Sequence, residues 1–310
     1  MQWDAAMPML RITVIEHEAR LHGGTAPLLP ALADALATDS GPVTIMVHGY
    51  KYQPGHPVHC PHASLMSPAP RAKDRRVVSW PDRLGLQGRV AISFGWQARG
   101  SIWAAHRRAA LAGEALAALV REVRRLAPRR PVNVIAHSLG ARVALAAVRA
   151  GAPGAITRAI LLAAAEYGAV ARHTLDSARG CRTQVLNVTS RENDLFDFML
   201  ERLVPPTHPG DRMLGHGGVN LPQVVTLQLD DEQSLTALRR LGFPIAPPQR
   251  LICHWSPYLR EGVFPLYRAI LSGTLPMDDL RAVLPTACAP RWSRLRPRLP
   301  RPQPPLVPAE

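Results

Sequence analysis

The segment from Val132 to Ala147 reads VNVIAHSLGARVALAA and contains a serine in a setting that can activate it. It opens on a β-branched run typical of a buried parallel strand and closes on residues that favour helix. The chain must therefore turn sharply between Ala136 and Gly140. Small residues at these two positions fit the nucleophile elbow G-x-S-x-G, a strained turn that exposes the serine hydroxyl beside a helix N-terminus. We predict that Ser138 is a nucleophile; the alternative is that it only caps the helix.

A serine hydroxyl is a weak nucleophile near neutral pH, so it needs a base to take its proton, and the base needs an acid that fixes its tautomer. Asp194 is the predicted acid, because it lies just beyond a predicted strand, at the sheet edge where doubly wound folds place their ligands. Glu192 and Asp197 are the competing acids. Capping of the helix that follows is the alternative role of Asp194.

His254 is the predicted base, since it lies in a loop between a strand and a terminal helix. His208 and His216 are the alternatives, and an ordinary surface or core position is the other interpretation of His254. The resulting order along the chain is serine, acid, histidine. This order differs from those of the chymotrypsin and subtilisin types.

A second stretch that fits acyl chemistry is His48-Gly49-Tyr50, which follows the buried-type strand 43–47. Gly49 allows close approach of the backbone, and the N–H groups of Tyr50 and Leu139 are predicted to form an oxyanion hole. A simple turn at the end of the strand is the alternative. The substrate pocket is expected to be lined by neighbouring residues: His48, Gly49, Trp96 and His137.

The elements that must position these residues alternate between strands and helices. Strands are predicted at 10–15, 43–47, 76–80, 88–96, 132–135, 158–165, 183–189 and 223–229, and helices at 27–37, 102–126, 144–150, 195–204 and 262–271. This alternation predicts an α/β fold with a mostly parallel, doubly wound sheet and helices on both faces. We expect one domain over 1–284, with a long His- and Pro-rich loop at 51–75 and a disordered Arg/Pro-rich tail at 285–310.

The 310 residues carry a formal net charge of +14, almost all of it from arginine, since Lys51 and Lys73 are the only lysines. The arginines are spread along predicted helices with little aromatic interleaving, so nucleic-acid binding is not expected. No apolar run reaches the length of a membrane span, and the first residues do not resemble a signal peptide, so we predict a cytoplasmic protein. The pattern does not predict an oligomeric state.

Four scattered cysteines suggest no disulfide framework. The loop from His56 to His62 contains three histidines and Cys60, which raises the possibility of a metal site. Their spacing matches no common ligand set, so a polar flap over the active site is the preferred interpretation. We predict neither a metal nor a cofactor.

Three segments together resemble the α/β-hydrolase superfamily: VHGY at 47–50, SFGW at 93–96 and IAHSLGAR at 135–142. The chain is most similar to bacterial α/β-hydrolases of unknown function with a VHGYN-like segment and an AHSxGxR elbow, over about residues 43–270. The resemblance implies Ser138 as nucleophile and the amides of Tyr50 and Leu139 as oxyanion hole. It also implies an acid after a strand, matched by Ser190 to Asp194 with one residue more than expected. Lys51 stands where asparagine is usual, and a long loop follows it.

These residues predict a serine hydrolase that cleaves a small-molecule carboxylic ester or thioester through an acyl-enzyme on Ser138. An acyltransferase with the same triad is one alternative. A catalytically inactive binding module that keeps the fold is another. The acyl chain length is not predicted, because fold and triad do not set specificity.

Overall fold

The computed structural model describes residues 9–71 and 74–295. Eight strands lie along this part of the chain: β1 (Met9–Ile15), β2 (Glu18–Leu21), β3 (Val43–Val47), β4 (Ala91–Gly95), β5 (Val132–His137), β6 (Arg158–Leu162), β7 (Gln184–Thr189) and β8 (Val224–Gln228). Ten helices accompany them: α1 (Leu28–Ala37), α2 (Trp80–Arg83), α3 (Ile102–Leu126), α4 (Leu139–Ala150), α5 (Gly168–Asp176), α6 (Asp194–Leu203), α7 (Glu232–Arg240), α8 (Ser256–Leu259), α9 (Val263–Ser272) and α10 (Met277–Val283). None of these helices has the length and apolar character needed to cross a membrane.

The strands form one sheet in the order β2-β1-β4-β3-β5-β6-β7-β8. Neighbouring strands are parallel, except that β2 pairs with β1 as an antiparallel hairpin at the edge of the sheet. The central strands β3, β4 and β5 are completely buried and mostly hydrophobic, as expected for parallel strands covered on both faces. This is the α/β-hydrolase fold, which confirms the predicted fold class.

Side chains of the central strands alternate between two cores, one on each face of the sheet. Ile45 and Val47 pack in the core that contains α3 and α4, whereas Met46 packs in the core that contains α9. The helices α3 and α4 approach closely at Gly113, where a Cβ atom would lie 2.4 Å from Ala146 Cβ. Helices therefore cover both faces. Because β3, β5 and β7 are parallel, their carboxyl ends meet at one edge of the sheet.

Several short elements differ from the prediction. The strand predicted at 76–80 is wrong, because residues 74–79 form no strand and Trp80 begins α2. The hydroxyl of Ser79 accepts a hydrogen bond from Asp82 N at 3.1 Å and caps this helix, whose first turn contains Pro81. The hairpin strand β2 and the helices α5, α7, α8 and α10 are missed, and each of them is short.

The chain beyond the predicted domain boundary at residue 284 also packs on the sheet edge. We call residues 285–295 the C-terminal arm. Ala289 N donates to Gln228 Oε1 at 2.7 Å, Arg291 pairs with Glu201 at 2.7 Å, and Trp292 N donates to Asp194 Oδ2 at 2.7 Å. This part of the predicted disordered tail is therefore attached to the domain. Residues 296–310 lie outside the described residues.

Candidate active site

Ser138 lies at the tip of a strained turn between β5 and α4. Its φ of +56° and ψ of −125° are unfavourable for a residue with a side chain, at a cost of about 1–3 kcal/mol. A Cβ atom at Gly140 would lie 2.7 Å from the carbonyl oxygens of both Val47 and His48, so only glycine fits there. The Ser138 side chain makes no capping hydrogen bond to α4. Helix capping therefore does not account for this serine.

The turn after β3 lies close to Ser138. A Cβ atom at Gly49 would lie 2.8 Å from Ser138 Cβ and 2.9 Å from the His137 carbonyl oxygen. The next amide along this turn belongs to Tyr50, and the next amide after the serine belongs to Leu139. Within residues 9–71 and 74–295, neither of these two N–H groups donates to another protein group. They are free to bind an oxyanion beside the serine, at the positive end of α4.

His48 and Trp96 hold this turn in place. Nδ1–H of His48 donates to the Gly49 carbonyl at 2.9 Å, while Nε2 accepts from Trp96 N at 3.0 Å. The Trp96 indole donates to the His48 carbonyl at 3.1 Å, and the two rings are stacked. Burial lowers the pKa of His48 to about 4, so the ring is neutral at pH 7. Both side chains are completely buried, so they support the turn and present little surface to a substrate.

The imidazole of His254 is held by an amide. Nδ1–H of His254 donates to Asn193 Oδ1 at 2.6 Å, which leaves Nε2 without a proton and able to accept one. Burial, followed by the neighbouring His137 ring, holds the pKa of His254 well below its usual value of 6.5. The ring is therefore neutral near pH 7, the form that a general base requires.

Asp194, the acid expected from the sequence, does not contact His254. Its carboxylate accepts from Trp292 N at 2.7 Å and lies 3.4 Å from the Arg191 guanidinium. A short 3-10 turn, Arg191–Asn193, precedes α6 and directs residue 193, rather than 194, towards His254. His254 is therefore paired with the amide of Asn193 and not, as the sequence led us to expect, with the carboxylate of Asp194. The extra residue in the match to the family pattern was the signal, because Asn193 stands where the pattern expects the acid.

The two competing acids have other partners. Glu192 accepts from the Ser190 hydroxyl at 3.0 Å and forms a buried ion pair with Arg260. Asp197 lies in the first turn of α6, and its Oδ1 accepts from Asn193 Nδ2 at 2.8 Å. Asp197 is therefore one hydrogen bond further from His254 than a triad acid.

We expected the loop that carries His254 to follow a strand, but residues 243–253 directly before His254 form no strand. Cys253 N donates to the Glu192 carbonyl at 2.8 Å, and Nε2–H of His137 donates to the His254 carbonyl at 3.1 Å. The ring centroids of His137 and His254 lie 4.6 Å apart, which places His254 beside the residue that precedes Ser138. Within the described part of the chain, no hydrogen bond joins Ser138 Oγ to the His254 ring. His208 and His216, the alternative bases, are exposed.

The loop at 51–75, predicted to be a flap over the site, is attached to the sheet by the buried side chain of His62. His62 Nδ1 lies 2.6 Å from Ser93 Oγ of β4, and Nε2 lies 3.1 Å from Thr13 Oγ1 of β1. Burial lowers the pKa of His62 to about 2, which keeps the ring neutral. Across residues 9–71 and 74–295, no group of three His, Cys, Asp or Glu side chains is arranged to hold a metal ion.

Similarity to known proteins covers Ser138 but not the whole candidate site. Residues 97–202 match the family described as T6SS Tle3 phospholipase effector domain. This segment includes Ser138 and Asn193 but neither Tyr50 nor His254. No curated protein matches the chain.

Among solved structures, the chain is similar to a Trichoderma reesei cutinase in complex with a C11Y4 phosphonate inhibitor. The identity is 14%, the TM-score is 0.24, and the match covers 45% of this chain and 62% of the cutinase chain. The chain thus spans less than two thirds of that structure. A similarity this weak does not bear on function, and the assignment of the fold rests on the sheet order and the elbow.

Proposed function

We propose that the protein is a serine hydrolase that cleaves carboxylic esters of lipids through an acyl-enzyme on Ser138. The observation that carries this proposal is the strained backbone of Ser138, a conformation that a purely structural serine would not need. Gly49 and Gly140 allow this conformation, because a side chain at either position would collide with the neighbouring turn. A neutral histidine with its free nitrogen available lies on the same sheet edge. The amides that follow Gly49 and Ser138 donate to no protein group within the described residues.

In the proposed reaction, His254 Nε2 takes the proton from Ser138 Oγ, and Oγ forms a bond to the ester carbonyl carbon. The carbonyl oxygen becomes an oxyanion that accepts hydrogen bonds from the amides of Tyr50 and Leu139. The alcohol leaves with the proton from His254, and water then attacks the acyl-enzyme with the same histidine as base. Asn193 keeps the proton of the imidazole on Nδ1 throughout.

The Ser138–His254 hydrogen bond must form before the first step. Catalytic hydrogen bonds are often long without substrate and shorten in the complex. The His254 ring lies in an irregular loop rather than on a strand, so we expect movement of this loop to bring the ring to Ser138. The contacts of that loop with His137 and Asn193 limit the movement to the vicinity of the serine.

An apolar strip beside His254 favours lipid substrates. Phe196 stacks on the His254 ring at 4.8 Å, and Met199 and Leu203 follow it on the same face of α6. Met199 and Leu203 are 42% and 45% exposed. The indole of Trp103, itself 50% exposed, donates to the Leu203 carbonyl at 2.6 Å and extends the strip to α3. Exposed apolar surface of this kind marks binding sites for apolar partners.

Arginines also accompany the apolar residues that flank His254 in the sequence. Leu251 and Ile252, which are 60% and 43% exposed, immediately precede Cys253 and follow the exposed Arg250. The Arg76 guanidinium lies 4.4 Å above the Trp255 ring. Apolar side chains with cations beside them suit a phospholipid surface, where acyl chains lie below phosphate groups. The similarity of residues 97–202 to a phospholipase effector domain favours the same class of substrate.

The cytoplasmic location stays a prediction. The matching family is described as a T6SS effector domain, so delivery out of the producing cell is the alternative location.

The nucleophile is tested with a fluorophosphonate probe, which labels activated serines. We expect labelling of the wild-type protein, complete loss in Ser138→Ala and strong loss in His254→Ala. His208→Ala is the matched control, because it removes an exposed histidine, and it should label like wild type. Absence of labelling in folded wild-type protein would contradict the proposal and favour the inactive binding module.

The substrate class is tested by comparing fatty-acid release from phosphatidylcholine vesicles with hydrolysis of p-nitrophenyl butyrate, a soluble ester. The double variant Met199→Ser/Leu203→Ser should lower vesicle hydrolysis about tenfold while leaving the soluble ester unaffected, because about 1.4 kcal/mol of apolar contact with lipid is lost. Leu29→Ser on α1, where Leu29 is 43% exposed, is the matched control and should change neither rate. Equal loss on both substrates in the double variant would contradict a lipid-binding role of the strip.

A further inference from the structure

Both ends of the Asn193 side-chain amide form hydrogen bonds. Its Oδ1 accepts from His254 Nδ1 at 2.6 Å, and its Nδ2 donates to Asp197 Oδ1 at 2.8 Å, one helical turn along α6. Asn193 occupies the N-cap position of α6, yet its side chain makes no capping hydrogen bond. The amide therefore serves these two neighbours rather than the helix terminus.

Asp197 is a buried carboxylate that has no ion pair among the described residues. It is 4% exposed, and within the described chain it belongs to none of the salt bridges, which bind the nearby acids Asp194 and Glu201 to arginines. The backbone of Gly215 closes the other side, since a Cβ atom there would lie 2.6 Å from Asp197 Oδ2. Burying a carboxylate in this way costs stability, so packing alone gives no reason for an acid at this position.

The orientation of an amide decides which tautomer its histidine partner adopts. With Oδ1 towards His254, the imidazole keeps its proton on Nδ1 and Nε2 can act as a base. With the amide reversed, Nδ2 would donate to Nδ1, the proton would move to Nε2, and the ring could not deprotonate Ser138. An ionised carboxylate accepts hydrogen bonds only, so it permits one orientation of the Asn193 amide.

We propose that Asp197 is a positioning residue that holds the Asn193 amide with Oδ1 towards His254, so that Ser138, His254, Asn193 and Asp197 act as one chain. This inference rests on the proposed serine-hydrolase function. The carboxylate has a second effect through the same hydrogen bond. It polarises the amide, which makes Oδ1 a stronger acceptor and stabilises the imidazolium that forms during acyl transfer.

The arrangement makes activity depend on ionisation of Asp197. Burial raises the pKa of this carboxyl to about 8, and this is the largest influence on it. The guanidinium groups of Arg291, on the C-terminal arm, and Arg191, in the 3-10 turn, lower the pKa, while Asp194 and Glu201 of α6 raise it. A protonated carboxyl can donate to Asn193 Oδ1 and thereby allow the reversed amide. Activity should therefore fall as the pH decreases through the pKa of Asp197.

The test is the rate of fluorophosphonate labelling of Ser138 as a function of pH in four proteins: wild type, Asp197→Asn, the exchanged pair Asn193→Asp/Asp197→Asn, and Asp194→Asn. An amide at position 197 can donate as well as accept, so it no longer dictates the orientation of Asn193. The exchanged pair keeps the volume and the single negative charge but moves the carboxylate next to His254. Asp194→Asn is the matched control, because Asp194 is an acid about as buried as Asp197, and the hydrogen bonds of the Asn193 side chain go to His254 and Asp197.

We expect Asp197→Asn to label about tenfold more slowly or worse at pH 8.5 and to lose the decrease between pH 9 and pH 7 that wild type shows. The exchanged pair should recover most of the rate, with its decrease shifted to lower pH. Asp194→Asn should keep the wild-type rate at pH 8.5 and still show the decrease, displaced to somewhat lower pH because Asp194 no longer raises the pKa of Asp197. A wild-type rate and profile in Asp197→Asn would overturn the inference, as would an exchanged pair no faster than Asp197→Asn. If wild type itself does not label, the proposed function fails instead, so the two failures are distinguishable.

Discussion

The nucleophile elbow and the turn that holds His254 meet at the same sheet edge, but different parts of the chain determine their geometry. At the elbow, backbone atoms set the position of Ser138: Gly140 lies against the carbonyls of Val47 and His48, and Gly49 lies against Ser138 itself. At the other turn, side chains set the position of His254 through Asn193 and Asp197. The elbow has no room for a Cβ atom at Gly49 or Gly140. The His254 turn depends on which end of the Asn193 amide, oxygen or nitrogen, faces His254.

This difference has a physical origin. A turn with a positive φ and close backbone contacts limits the residue types at each position, so the sequence pattern is narrow. A hydrogen-bonded chain of side chains can be built with an amide or an acid at the same position, so its pattern is broad. Substitutions should therefore act through displacement at the elbow and through protonation or amide orientation at the His254 turn.

The largest effect should come from the proposed nucleophile. Ser138→Ala is expected to lower kcat for ester hydrolysis about 10⁴-fold or more, because the covalent route is lost and only binding and the oxyanion amides remain. Steady-state kinetics and circular dichroism on the same sample measure activity and folding. Activity within tenfold of wild type in a folded variant would exclude Ser138 as the nucleophile.

A displacement at the elbow should cost less. Gly49→Ala introduces a Cβ atom 2.8 Å from Ser138 Cβ, so the serine or the Tyr50 amide must move, and we expect kcat to fall about 100-fold. Gly24→Ala is the control, because its nearest atom would be 3.9 Å away and its φ is not positive. Equal kcat values for the two variants would mean that the close approach at Gly49 has no role in catalysis.

Removal of the C-terminal arm should affect stability more than catalysis. Deletion of residues 285–310 removes the ion pair between Arg291 and Glu201 and the hydrogen bond from Trp292 N to Asp194. The free energy of unfolding should fall by roughly 1–3 kcal/mol. Neither group touches His254, so the labelling rate of the folded protein should stay close to wild type at a pH at which Asp197 is ionised. Loss of Arg291 raises the pKa of Asp197 and should shift the decrease in labelling to higher pH. Chemical denaturation with parallel probe labelling checks both statements, and a lost labelling rate at unchanged stability would refute them.

The smallest effect concerns the stability cost of Asp197. Its folded-state pKa is raised above the unfolded value, so the carboxyl destabilises the fold progressively as the pH rises from about 4 to about 8. Asp197→Asn removes this cost and should melt at a temperature roughly 2 °C or more above wild type at pH 8.5, with little difference at pH 4. A melting-temperature difference that is the same at both pH values would contradict the raised pKa.

The residues around Ser138 illustrate what the sequence predicts well. The strand 132–135, the small residues Ala136 and Gly140, and the His48-Gly49-Tyr50 turn have local signals, because each is required by backbone geometry at a fixed spacing. The structure places them together, with a positive φ at Ser138. The buried strands and the long helix α3 are predicted for a similar reason, since their apolar patterns are long and regular.

The acid position illustrates what local patterns miss. Whether residue 193 or 194 faces His254 depends on the 3-10 turn Arg191–Asn193. The sequence gives only a weak signal for whether such a turn precedes the helix or the helix begins at once. The C-terminal arm was missed for another reason. Its Arg/Pro composition is typical of disorder, but Arg291 and Trp292 find partners on α6 that are distant in sequence.

The most direct test of the account is the labelling rate of Ser138 in Asn193→Ala beside that in Asp194→Asn, with folding verified for both. If Asn193 fixes the tautomer of His254, Asn193→Ala should label about 100-fold more slowly than wild type, while Asp194→Asn should label at close to the wild-type rate. The opposite result, fast labelling in Asn193→Ala and slow labelling in Asp194→Asn, would show that Asp194 supports His254 and would contradict the site described here.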